Sequence, residues 1–100
     1  MLIIAGHIEV DPDDRDEAVA VMRDLVTRAR DAPGCLDLAI TADPIDPGRI
    51  NVFERWESQA ALESARSSAP PFEQAAAMLS ASVADYDIAD VRPFFEKGTA

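Results

Sequence analysis

Apolar and polar residues alternate from Ile50 to Trp56, which puts Ile50, Val52, Glu54 and Trp56 on one face of a strand and Asn51, Phe53, Arg55 and Glu57 on the other. Ser58 follows as an acceptor for the open amides of a helix running from Gln59 to about Ser67. The single tryptophan thus stands where a strand turns over into a helix, on one face with a carboxylate, and a pocket is expected there. The same rules divide the rest of the chain. Leu2 to Val10 reads as a first strand whose opening residues, Leu2, Ile3, Ile4 and Ala5, are apolar on both faces and call for burial on both. Asp11-Pro12-Asp13-Asp14 has the form of a helix start, with an acceptor at the cap, proline at the first position and acids at the positive end of the dipole. Ala18, Met22, Leu25, Val26 and Ala29 then form one apolar stripe, and Pro33-Gly34 ends the helix.

Cys35 to Ala42 alternates again, with Leu36, Leu38 and Ile40 set against Cys35, Asp37, Ala39 and Thr41. The turn formers Asp43-Pro44-Ile45-Asp46-Pro47-Gly48 link this strand to the tryptophan strand as a hairpin. Pro70-Pro71 forces a break. A second short helix is expected from near Pro71, with Phe72, Ala75, Ala76 and Leu79 on one side. Ser82 to Val91 is the last strand, with Ala84, Tyr86 and Ile88 opposite Val83, Asp85, Asp87 and Ala89. The order strand, helix, strand, strand, helix, strand is the ferredoxin-like βαββαβ arrangement, an α+β fold with a four-stranded antiparallel sheet. A single domain over residues 1–92 and a C-terminal tail over 93–100 are expected, the tail carrying Phe94 and Phe95, too apolar to be left in water. The helices cover one face of such a sheet, while the first strand is apolar on both sides. A second copy stacked sheet against sheet meets that need, so a homodimer is expected.

Composition narrows the partners. The chain has 100 residues, 48% of them apolar, which suits one folded domain with a modest core. Its formal charge of −10 argues against nucleic acid and anionic membrane surfaces, which attract basic patches, and solubility is the plain reading of the scattered acids. No apolar run approaches the roughly 20 residues of a membrane span, and Met1 to Val10 lacks the basic flank and cleavage site of a signal peptide, so a cytoplasmic location is expected. Eight arginines against one lysine, Lys97, hint at a bacterial source. With one cysteine, Cys35, and one histidine, His7, an internal disulfide, a Cys-X-X-Cys pair and a multi-histidine metal site are excluded. Nucleotide-binding glycine loops, a Walker lysine loop and a Gly-X-Ser-X-Gly elbow are absent.

The run Phe53-Glu54-Arg55-Trp56-Glu57-Ser58, followed by Ala60-Ala61-Leu62-Glu63, resembles the signature of the antibiotic biosynthesis monooxygenase family, and the order of elements extends that resemblance from about Leu2 to Val91. The resemblance implies a dimeric α+β barrel and an oxygenase that uses neither metal nor flavin, acting on a quinol or polyketide-type phenol that supplies the electrons for dioxygen. Such chemistry needs a dry pocket with aromatic walls, polar groups for orientation and a base. On this reading Trp56, Met22, Leu25, Phe72 and Met78 wall the pocket, Glu54 orients the phenol or takes its proton, and Arg66 stabilises the phenolate. Tyr86 is either a further wall or an interface residue. Heme-degrading relatives of the fold place an axial histidine on a helix after the tryptophan strand; Ala76 stands about where that ligand would be, which disfavours heme. The plainer roles are a packed core tryptophan, a strand-end or interface carboxylate at Glu54, a surface Arg66 at a helix C-terminus, ordinary packing methionines and a hydrogen-bonded interface histidine at His7. They define the alternative, a non-catalytic dimeric barrel that binds a small aromatic or stabilises a partner.

Overall fold

The computed structural model describes residues 1–67 and 78–98. Its elements are β1 (Leu2–Glu9), α1 (Arg15–Val21), α2 (Arg23–Arg30), β2 (Cys35–Ala42), β3 (Arg49–Trp56), α3 (Gln59–Ser67) and β4 (Ser80–Asp87). The strands form one sheet in the order β2-β3-β1-β4, every neighbouring pair antiparallel, which is the ferredoxin-like topology. The second short helix expected from Pro71, with Phe72, Ala75 and Ala76, lies outside the described residues, but Leu79, expected on its apolar side, is not helical: it stands 73% exposed at the entry to β4, with its N–H on the Glu9 carbonyl. Among the described residues no helix is long and apolar enough to cross a membrane.

Register sorts the side chains into two faces. One carries the rows Cys35–Trp56–Leu2–Asp87, Leu38–Glu54–Ile4–Asp85, Ile40–Val52–Gly6–Val83 and Ala42–Ile50–Ile8–Ala81. Both apolar clusters form on it. Leu2, Ile4, Leu38, Trp56 and Leu62 make one, while Ile8, Val10, Ala18, Met22 and Ile50 make the other. The opposite face carries Asp37–Arg55–Ile3–Tyr86, Ala39–Phe53–Ala5–Ala84 and Thr41–Asn51–His7–Ser82, and none of these residues joins either cluster.

Four local expectations are corrected. The alternation read for Cys35–Ala42 fails at its start because a β-bulge interrupts the register between Cys35 and Asp37. Leu36 is the extra residue and stays 40% exposed, while Cys35 swings to the helix face opposite Trp56 and packs against the first cluster. The first helix begins a turn later than Asp11-Pro12 suggests: the Asp11 carboxylate takes the Asp13 N–H and the Asp11 carbonyl takes that of Asp14, closing a tight turn before Arg15. That helix is also two, parted at Met22, whose N–H is shared between the carbonyls of Ala18 and Val19 at 3.2 Å each. The apolar stripe nonetheless crosses the joint, with Ala18 and Met22 buried. Finally, β4 runs from Ser80 to Asp87 rather than from Ser82 to Val91, because its pairing with β1 ends at Leu2↔Asp87 and is closed by the Ile88 N–H on the Met1 carbonyl.

The hairpin is held by its own polar groups. Asp43 accepts the N–H groups of Ile45 and Asp46 and the Asn51 side-chain amide, at 2.8–3.1 Å. Arg15, at the start of α1, donates to the carbonyls of Asp43 and Asp46 and so ties that helix to the loop. These bonds, led by the Asp46 and Asn51 donors, hold the Asp43 carboxyl well below the usual range, at about 2. At the other end of the sheet the Ser58 hydroxyl caps α3 by accepting the Ala61 N–H at 3.1 Å, as the sequence indicates.

Candidate active site

Between the helix face of the sheet and the helices lies a cavity of about 750 Å³. The size suits a small multi-ring ligand, since pockets for such molecules run from roughly 300 to 1,000 Å³. Its floor comes from all four strands, with Leu38 and Ile40 from β2, Val52, Glu54 and Trp56 from β3, Ile8 from β1 and Val83 from β4. Gly6 sits between Val52 and Val83 in the register, so no side chain rises from the middle of that row. Met22, then Leu25, Arg28 and Ala29 of α2, and Ala32 just beyond its end form one wall. Leu62, Ala65 and Arg66 of α3 form another, and Met78 closes a corner. Alanines at 29, 32 and 65 keep the helix side shallow and leave the room that larger side chains would fill.

The polar centre of the cavity is a pair. The Trp56 indole N–H donates to Glu54 Oε1 at 3.0 Å, and both side chains line the space. The pair exists because residues two apart on a strand share a face, and because Trp56 is fixed by the first cluster around it with only 2% of its surface exposed. The bond fixes the carboxylate, holding one oxygen on the indole. It also answers the indole's need for an acceptor, which a buried tryptophan otherwise lacks.

The sequence-predicted site is largely brought together. Trp56, Glu54, Arg66, Met22, Leu25 and Met78 all line the cavity. Tyr86 does not: it lies beside Ile3 on the opposite sheet face, 52% exposed. Phe72 and the heme position, Ala76, lie outside the described residues. His7 is on the opposite face too, between Asn51 and Ser82. The sequence reading missed Arg28, although its place three residues after Leu25 and beside Ala29 was a usable signal. Among the described residues, no three histidine, cysteine, aspartate or glutamate side chains gather as metal ligands. Cys35, packed against the Trp56 cluster, is no ready nucleophile: burial pushes its thiol up, a backbone hydrogen bond at Asp37 pulls it part of the way back, and the carboxylates of Glu54 and Asp37 add to the rise against a weaker pull from Arg30.

The sequence model of the antibiotic biosynthesis monooxygenase family matches residues 1–78. The chain belongs to that family. The antibiotic biosynthesis monooxygenase-like protein of Nitrosomonas europaea has the same fold, with a TM-score of 0.76 at 14% identity over 90% of this chain and 100% of that one. A counterpart from Chloroflexus aurantiacus gives 0.68 at 24% identity, covering 94% of this chain and 98% of that one. An uncharacterised Synechocystis protein is 31% identical over 62 residues, a match that takes in 62% of this chain and spans 42% of that protein. In this antibiotic biosynthesis monooxygenase family member the matched residues take in the strand–helix turn that carries Glu54 and Trp56 and every described lining residue of the cavity but Val83.

Proposed function

We propose that this chain is a monooxygenase that holds a quinol or polyketide-type phenol in the cavity and oxidises it with dioxygen, drawing its electrons from the substrate. The observation that carries the reading is a largely apolar cavity whose polar centre is one oriented carboxylate on an indole. Glu54 takes the phenolic proton through the oxygen that the indole leaves open, and Arg66, across the cavity on α3, adds positive charge that favours the phenolate. The deprotonated ring gives one electron to dioxygen, and the radical and superoxide combine into a peroxide on a ring carbon. Loss of water then leaves a carbonyl. One oxygen atom stays on the substrate and the other departs as water, so all four electrons come from the substrate and no external reductant is needed. The protein's part is to exclude water, fix the ring and accept the proton.

The working unit in this proposal is a homodimer stacked on the sheet face that the described helices leave open. Two observations support it: the apolar row Ala39–Phe53–Ala5–Ala84 crosses the middle of that face, and Arg55 Nε is buried there without a hydrogen-bond partner. An acceptor from a second copy would satisfy that group, which is costly to leave open. The single cysteine is a free thiol, in keeping with a reducing, cytoplasmic setting.

Trp56 is also a packed member of the first cluster, which favours a second reading, a dimeric barrel that binds an aromatic without turnover. Dioxygen uptake with a panel of hydroquinones, on protein verified free of metal and flavin, separates the two. Saturable, protein-dependent uptake is the expected result; binding with no uptake across the panel would leave the second reading.

A further inference from the structure

The chain carries 19 acidic residues against nine basic ones, yet among its described lining residues the cavity has one acid and two arginines. Arg28 comes from α2 and Arg66 from α3, the two helices that wall the space. Both sit in the last turn of their helix, where a cation is favoured by the dipole whatever its direction. The dipole does not account for the side each one takes. Arg30, in the same last turn as Arg28, reaches the other way to the Leu38 carbonyl at 2.8 Å. Arg28 stays at the cavity, its Nε 3.4 Å from the Asp24 carbonyl of its own helix. No carboxylate of the described residues forms an ion pair with either guanidinium, and Glu54 is already turned to the indole.

From this arrangement we propose that the ligand is an aromatic acid: a flat ring system seated against Trp56 and Leu38, bearing a carboxylate that Arg28 and Arg66 hold at the helix side of the cavity. This deepens the reading of the cavity as an aromatic-binding site and rests on it. A guanidinium presents parallel N–H groups that match the two oxygens of a carboxylate, and two of them from separate helices fix its position as well as its charge. Glu54 lies on the sheet side and disfavours a second anion there. The ligand is thereby oriented, acid toward the helices and reacting phenol toward Glu54 and Trp56. In a chain of net charge −10, this local reversal selects against the neutral aromatics that an apolar cavity would otherwise take equally well.

Calorimetric titration with 2-naphthoate and its neutral analogue 2-naphthamide tests the proposal, because neither probe can be oxidised by the proposed route. Wild-type protein is expected to bind naphthoate at least about tenfold more tightly than naphthamide, as charge-assisted hydrogen bonds require, with the margin narrowing as salt is raised. Arg28→Gln and Arg66→Gln should each remove most of that preference, and Arg28→Lys should retain part of it. Both side chains are exposed outside the clusters, and circular dichroism checks that each variant is folded. Equal affinity for the two probes, a preference that survives both glutamine substitutions, or no binding of either probe overturns the proposal. The oxygenase reading fails separately: carboxylate preference without uptake of dioxygen by any quinol retires that reading alone, whereas oxidation of neutral quinols without the preference retires this one alone.

Discussion

Glu54 and Trp56 are two residues apart, and much of the site follows from that spacing. Alternation along Ile50–Trp56 makes their shared face legible in the sequence; the hydrogen bond between them needed the fold, because only packing around the indole fixes its N–H toward the carboxylate. If Glu54 accepts the phenolic proton, Glu54→Gln should slow quinol oxidation by about 10²–10⁴-fold, the usual worth of a positioned base, as read from initial rates of dioxygen uptake. An unchanged rate would move that role elsewhere. Arg28 escaped the sequence because arginine on a helix is ordinarily a solvent residue, and a long stem lets it edge an apolar space from a position that looks wet. Asp43 belongs to stability rather than catalysis. Its carboxyl is depressed from 3.8 to about 2 in the folded protein, so it stabilises the fold fully above pH 3.8 and loses that contribution as the pH falls toward 2. Thermal melts from pH 7 to pH 2 should therefore show wild type above Asp43→Ala at neutral pH, with the gap closing across that window. A gap that is constant with pH would refute the assignment.

Elements were read well where one face is apolar and poorly where a neighbour decides. The order of the four strands, the Ser58 cap and the 43–48 hairpin rest on local chemistry and appear as expected, whereas the first helix is broken at Met22 and the helix expected from Pro71 lies outside the described residues. The Leu36 bulge and the end of β4 depend on a partner strand's register, which no pattern within the segment encodes. Gly6 shows the same dependence. A Cβ there would run into the Ser82 carbonyl oxygen and the Val83 Cα of β4, so the central strand and its edge neighbour can approach only around a glycine. Gly6→Ala should cost about 1–3 kcal/mol in urea unfolding, as overpacking does. A wild-type midpoint in that variant would mean that β4 yields readily.

For the whole molecule, the decisive asymmetry is that the helices of the described chain serve one face of the sheet only. The expectation of a dimer came from the apolar start of β1; the structure adds Phe53 at the centre of the other face and the unpartnered Arg55 Nε beside Ile3. A stable interface there should bury more than about 2,000 Å² in total. Sedimentation is expected to give twice the 10.8 kDa chain mass, and Phe53→Asp, which puts a charge in the middle row, should yield monomer or insoluble protein. A folded wild-type monomer at micromolar concentration would overturn the arrangement.

The solitary, deeply packed Trp56 has a further consequence. With no second indole in the chain, every photon of tryptophan emission leaves from the cavity wall. The hydrogen bond to Glu54 places a carboxyl oxygen 3.0 Å from the indole nitrogen, within the chromophore's own polar surroundings. The protein is thus its own optical gauge. Spectrum, lifetime and anisotropy each report on the surroundings of that one cavity wall, with no label to attach.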